Sequence, residues 1–255
     1  MSLDVLDVLR AFGAKRVSQD DVMRALAGHD GWLAPAVAFG DGAVVDRIVM
    51  YGTETKLPPG ELWLFTGEEK ARAAQASGAL LGAYAADLSA AKAMSVLHPG
   101  IPKIAINPVG PQEESWYMPG RAKGLVDVWI RAVAIEKRLG TGPDFAEMAR
   151  YDGWSLTAQG NDLVGLNDVP GFQRTVLMFT TPDRMEVVLA QMPAQLRATL
   201  RPARGGGAPL FDMIAKQNFD SVLINRGFES AAFPLKSFVD ALGSGGLTGG
   251  GNKSW

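Results

Sequence analysis

Apolar positions along the chain fall into short runs divided by glycine, proline and asparagine, and the runs of the first half return in the second in the same order. Asp30-Gly31-Trp32 answers to Asp152-Gly153-Trp154, Leu64-Phe65-Thr66 to Met178-Phe179-Thr180, Ile106-Asn107 to Ile224-Asn225, and Pro119 to Pro234, at separations of 122, 114, 118 and 115 residues. Four matches in register, each in a similar local setting, point to two diverged copies of one module in tandem.

The settings predict the elements. In both halves a turn-forming Asp-Gly precedes a Trp that opens an apolar stretch, as where a chain leaves a helix and enters a strand; Trp32 and Trp154 are therefore expected in the core. Residues 62–65 and 176–179 are rich in β-formers and end in Thr66 and Thr180, each placed to cap a following helix. Thr66-Gly67-Glu68-Glu69 fits a capping box, and Pro182 fits an early helical turn, where its missing N–H is harmless. Residues 88–97 and 209–216 have helical spacing, and each stretch precedes a short apolar strand, residues 103–106 and 221–224. The strands end in Asn107 and Asn225, and a polar loop then leads to Pro119 or Pro234, each expected to start a final helix. Residues 124–139 form the long one. Leu125, Val128, Trp129, Ala132, Val133, Glu136 and Leu139 give it a mainly apolar stripe, expected to pack between or across the copies.

The fold class expected is α/β with a mixed sheet (α+β in arrangement), as two similar modules packed into one compact body. The first copy is residues 1–140 and the second residues 141–242, with a breaker-rich joint at residues 140–143 and a helix ending at Tyr151. Residues 243–255 are too glycine-rich to repay the entropy of ordering them and are expected to form a flexible tail.

The segments Gly60-Glu-Leu-Trp-Leu-Phe-Thr-Gly-Glu-Glu69, a strand meeting a helix, and Gly100-Ile-Pro-Lys-Ile-Ala-Ile-Asn-Pro-Val-Gly110, a strand ending in Asn-Pro, resemble the SseB-like domain family. The resemblance covers roughly residues 20–139 well and residues 144–242 less well. It implies a small mixed-sheet domain in a bacterial cytoplasmic protein, without an established activity or defined catalytic residues. Two departures stand out: Asn225-Arg226 replaces Asn107-Pro108 in the second copy, and the module is doubled.

Composition narrows the chemistry. Twenty-five Lys and Arg against 27 Asp and Glu give a formal net charge of −2, so no global field draws the protein to nucleic acid or anionic lipid. Cys is absent, which removes disulfides, thiolate nucleophiles and cysteinyl metal sites. The first 13 residues lack the basic-then-apolar order of a signal peptide. The longest small-and-apolar stretch, residues 71–94, is broken by Arg72, Asp87 and Lys92, so no membrane span is expected. A soluble cytoplasmic protein is the reading. His29 and His98 lie in different segments without a carboxylate at ligand spacing, so no metal site is expected, and no cofactor. Residues 201–208, Arg-Pro-Ala-Arg-Gly-Gly-Gly-Ala, lack the Gly-Lys-Ser/Thr ending of a nucleotide loop and read as a flexible connection between a strand and a helix. No serine stands in a Gly-x-Ser-x-Gly elbow.

The richest segment is residues 107–123. It sets Asn107, Glu113, Glu114, Trp116, Tyr117, Arg121 and Lys123 in and beside one loop at a strand end, where open α/β sheets commonly bind ligands. Trp116 and Tyr117 would serve as flat contacts and Arg121 or Lys123 would meet an anion. The competing reading has Asn107 capping the turn, the prolines shaping it and the aromatics filling a sheet face. Glu113 and Glu114 are adjacent, which suits a solvated loop better than a paired acid and base. The equivalent loop of the second copy keeps Glu229 alone and lacks the two aromatics. The functional expectation is a non-enzymatic binding or regulatory protein that engages a protein partner or a small polar effector through residues 107–123, with a groove between the copies as the second place to look. The alternatives are an enzyme of unidentified reaction sited between the modules and a secretion-associated or toxin-immunity module.

Overall fold

The computed structural model describes residues 4–39, 43–48, 61–80, 83–90, 93, 103–119 and 123–244. The chain divides into two compact units, Met1–Ile130 and Arg131–Trp255. The fold is α/β with mixed parallel and antiparallel strands. Among the described residues no helix is long and apolar enough to cross a membrane.

The first unit opens with helices α1 (Val5–Gly13) and α2 (Gln19–Gly28). Ser18 and Asp21 close a capping box at the start of α2, satisfying donors that the first turn leaves open. Strands β1 (Asp30–Phe39), β2 (Ala43–Ile48) and β3 (Glu61–Leu64) follow, then α3 (Glu68–Ala76), β4 (Ala83–Ser89) and β5 (Lys103–Ile106). A 3₁₀ turn (Gln112–Glu114), β6 (Trp116–Pro119) and the long helix α4 (Lys123–Arg138) complete the first half. The division between the units falls inside α4.

Strand β3 runs parallel to β5, β5 antiparallel to β6, and β1 antiparallel to β4. Leu33 and Phe65 exchange backbone hydrogen bonds of 3.0 and 2.8 Å and so connect β1 to the end of β3. That one bridge joins the sheet β2–β1–β4 to the sheet β3–β5–β6, giving the path β4–β1–β3–β5–β6 with β2 also paired antiparallel to β1. Ile104, Ala105 and Ile106 are all fully buried, because a parallel strand covered on both faces carries a continuous apolar run and not an alternating one. Ala71, Ala74 and Leu80 close one face over Trp63, Phe65 and Ala105.

The second unit contains α5 (Phe145–Arg150), β7 (Trp154–Gln159), β8 (Asp162–Leu163), β9 (Gly165–Leu166), β10 (Thr175–Phe179), α6 (Pro182–Ala190) and the short α7 (Ala194–Arg197). Strand β11 (Arg201–Gly205), α8 (Gly207–Lys216), β12 (Ser221–Ile224), β13 (Ala231–Pro234) and α9 (Leu235–Ser244) follow. Its main strand order is β11–β7–β10–β12–β13, with β10 and β12 parallel and the other neighbours antiparallel. Each unit thus has the same five-strand order with the same directions. The bridge Leu33↔Phe65 occupies the place of the pair Ser155↔Phe179. Phe211 and Phe238 stack at 4.8 Å, and Phe145 meets Phe238 edge-on, so α9 is seated by aromatic packing against α5 and α8.

Several expectations change. Strand β4 covers Ala83–Ser89, so Leu88 and Ser89 are in a strand and not in the helix expected over residues 88–97; Ala90 and Ala93 are helical as expected, and the rest of that stretch lies outside the described residues. Pairing with β1 overrides the local helical spacing there. Residues 201–205 are likewise an edge strand on β7 and not a loose connection. Pro119 and Pro234 end strands β6 and β13, which the sequence reading missed, because four residues give too little alternation to register. Thr66 does not cap α3. Gly67 holds the N-cap position without a side-chain bond, and the Thr66 hydroxyl turns instead to Asn107. On α4, Trp129, Ala132 and Val133 are buried as the stripe requires, as is Leu139 just past its end, whereas Leu125 is exposed.

Candidate functional site

The loop after β5 is built from Asn107. The chain turns there with φ 47°, a left-handed conformation that Asn tolerates better than other side-chain-bearing residues. The side chain is buried. Its Oδ1 accepts from the Thr66 N–H at 3.0 Å and from the Thr66 hydroxyl at 3.3 Å. Its Nδ2 donates to Thr66 Oγ1 at 3.0 Å and to the Glu114 carbonyl at 3.1 Å. The Ser115 hydroxyl donates to the Asn107 carbonyl at 2.7 Å. The amide is fully engaged inside the protein, so Asn107 shapes the loop and has no polar atom left for a ligand.

Glu114 is the second internal member. Arg10 of α1 donates from Nε and Nη2 to Oε1 at 3.1 and 2.6 Å, and Lys70 of α3 donates to Oε2. The side chain is 8% exposed, so burial disfavours its charge, yet the hydrogen bonds from Lys70 and then Arg10 outweigh this and hold the carboxyl below its ordinary pKa. Glu114 is thus a braced structural anion and not the solvated loop acid expected. Its neighbour Glu113 is exposed. The 3₁₀ turn sends the two side chains into different environments, which leaves no carboxylate pair for acid–base chemistry.

Strand β6 carries the outward groups. Met118 is buried, Trp116 half-buried, and Tyr117 47% exposed. Lys103 Nζ lies 4.1 Å from the centre of the Tyr117 ring, a cation–π contact worth roughly 0.5–1 kcal/mol at such a site. Strand β6 pairs with β5 at the end of the strand order. Lys123 is the first residue of α4, and Arg121 lies outside the described residues. The structure therefore brings Glu113, Trp116 and Tyr117 to one segment and turns Asn107 and Glu114 inward.

The second unit repeats the strand-end arrangement with another charge pattern. Asn225, at φ 54°, accepts from the Thr180 N–H at 3.0 Å and from its hydroxyl at 3.2 Å, and Nδ2 donates to Thr180 Oγ1 at 3.0 Å. The acid here is Glu136 of α4. It accepts from the Thr180 hydroxyl, from Asn225 Nδ2 at 3.4 Å and from Arg184 Nη2 at 3.4 Å. The Arg184 guanidinium also lies 4.1 Å from the centre of the Phe228 ring. In the register of β6, β13 places Ala231 and Ala232 where Trp116 and Tyr117 stand.

The sequence reading gave Arg10, Lys70, Lys103 and Arg184 no place in a site and counted Glu136 only within the apolar stripe of the long helix. A signal for two of them existed: Lys70 and Arg184 each stand four residues after the strand-end threonine, one helical turn away. His29 meets the Trp32 ring edge-on at 4.8 Å, and burial pushes its pKa down, against smaller opposing pulls from the Thr66 backbone, Asp30 and Asp4. His98 lies outside the described residues. Among the described residues no three His, Asp or Glu side chains gather to hold a metal. Compared with protein-family models, with curated proteins and with solved structures, the chain finds no significant match in any of the three.

Proposed function

We propose that this chain is a non-enzymatic binding protein of the SseB-like kind, acting in the bacterial cytoplasm, made of two diverged copies of one module, with its partner surface on the first. The shared strand order and the matched Asn–Thr bonds of Asn107 and Asn225 support descent from one module. The observation that carries the binding role is Tyr117: a large exposed aromatic on a terminal strand, flanked by Lys103, with alanine in its place in the second unit. Exposed Tyr and Trp dominate binding energies because they bring much contact area at little entropic cost. The braced Asn107 and Glu114 hold this segment ready, so little ordering cost falls on binding. A protein or a small polar effector is the partner class.

The test is capture of stoichiometric partners on the full chain, followed by affinity measurements for Tyr117→Ala and Trp116→Ala/Tyr117→Ala. A loss of affinity of tenfold or more for Tyr117→Ala, with a melting temperature within a few degrees of wild type, is expected. Unchanged affinity would place the functional surface elsewhere.

A further inference from the structure

Helix α1 touches the partner segment at two points. Arg10 reaches Glu114, and Gly13 stands so near the turn that a Cβ built on it lies 3.7 Å from the Glu113 Cβ. Lys70 grips the other carboxylate oxygen from α3, so Glu114 keeps a compensating charge whether or not α1 is in place. The tie from α1 is therefore separable from the tie from α3. Its outer end is open to solvent, with the Arg10 side chain 48% exposed against 8% for Glu114. Helix α1 buries Val5, Val8 and Leu9 and is nine residues long, too short to stay helical in isolation. Undocking and unwinding are one event for such a helix.

The second unit supplies the contrast. Arg10 lies 22 residues before Trp32 and Glu136 lies 18 before Trp154, while α2 has ten residues and α5 six, so the two charges occupy matching places on the helices that precede each unit's first strand. Glu136 ties its helix directly to Thr180 and Asn225 at the strand end. Arg10 instead ties its helix to Glu114, inside the turn that leads to Tyr117.

We propose that α1 is a clamp on the partner segment: docked through Arg10 and Glu114 it fixes the shape in which residues 112–117 meet a partner, and its release loosens that segment. This rests on the reading of residues 112–117 as the partner surface, and the two ideas separate by experiment. Amide hydrogen exchange on the full chain is compared for wild type, Arg10→Gln, Arg10→Lys and Lys70→Gln. In Arg10→Gln, exchange rises in residues 5–13 and, by tenfold or more, in residues 112–117; Arg10→Lys, which keeps the charge and a single donor group, falls between. Lys70→Gln loosens residues 112–117 alone. Faster exchange confined to residues 5–13 in Arg10→Gln, or no change in either segment, overturns the clamp. Should Arg10→Gln fail to fold, Arg10→Lys is read by the same criteria. Affinity for the captured partner is then measured on the same variants. Coupled loosening with a weakened affinity supports regulation by α1, whereas coupled loosening with unchanged affinity overturns the assignment of the partner surface.

Discussion

Asn107 and Asn225 perform the same structural task in the two units: each turns the chain in the left-handed conformation and accepts the N–H of a strand-end threonine at 3.0 Å, from Thr66 and Thr180 respectively. Both amides are buried, so replacing either by Ala combines a strained backbone with orphaned partners. Each substitution is expected to cost about 2–4 kcal/mol, the sum of a left-handed penalty and lost buried hydrogen bonds. Asn→Gly removes the strain and should recover about 1 kcal/mol of that loss. Chemical denaturation of the four variants measures both effects, and equal stability of the Ala and Gly forms would refute the strain component.

Trp32 and Trp154 are both fully buried but differ in one bond. Trp154 Nε1 donates to the Met148 carbonyl at 3.0 Å, whereas Trp32 Nε1 is buried and has no hydrogen-bond partner among the described residues. Either Trp→Ala should cost about 3–5 kcal/mol. Trp→Phe should separate them: the change at 154 removes a buried hydrogen bond to the Met148 carbonyl, which keeps the Tyr151 N–H at 3.2 Å, and is expected to cost about 1 kcal/mol more than the change at 32. The comparison is read from paired denaturation curves.

Acid should find the protein's weak points at Glu114 and Asp220. Lys70 and then Arg10 hold the Glu114 carboxyl below its ordinary pKa, and the N–H groups of Gln173 and Arg174, at 2.8 and 3.1 Å, do the same for Asp220. A carboxylate whose folded pKa is depressed contributes stability that is complete above its unfolded value, about pH 4. That contribution disappears as pH falls through the lower folded value. Glu114→Gln and Asp220→Asn should therefore lower the melting temperature at neutral pH and flatten its decline in acid. An acid limb identical to wild type in both variants would contradict this assignment.

Gly206 explains the glycine run that a phosphate-loop reading would otherwise claim. A Cβ built there lies 2.2 Å from Asp152 Cα and 2.4 Å from the Tyr151 carbonyl oxygen, both backbone atoms that cannot step aside cheaply. Gly206→Ala is expected to cost about 3 kcal/mol or more. Gly205→Ala meets the flexible tip of Leu210 at 3.3 Å and should cost under about 1 kcal/mol. Thermal melts of the two single variants check the ranking.

The sequence by itself determined the parts whose signals are local. The break at Asp152-Gly153 ahead of β7, the apolar strands at residues 103–106 and 221–224, the helix over residues 209–216, and the buried Trp32 and Trp154 follow from turn chemistry and runs of neighbouring residues, whereas Asp30 and Gly31, expected as a turn, already belong to β1, which pairs with β4. It also marked the segment at residues 107–123 as unusual, from residue types alone. Tertiary structure decided what those types do. Asn107 and Glu114 became internal braces because Thr66, Lys70 and Arg10, which lie 41, 44 and 104 residues away in the chain, are brought to them by the sheet and by α1. Strands β4, β6, β11 and β13 appeared only through pairing, since a short or edge strand has its hydrogen-bond partners elsewhere in the chain and little periodicity of its own. The same division separates Tyr117 from Met118: the two are neighbours in one strand, and the pleat of the sheet turns Met118 to the core and Tyr117 to solvent.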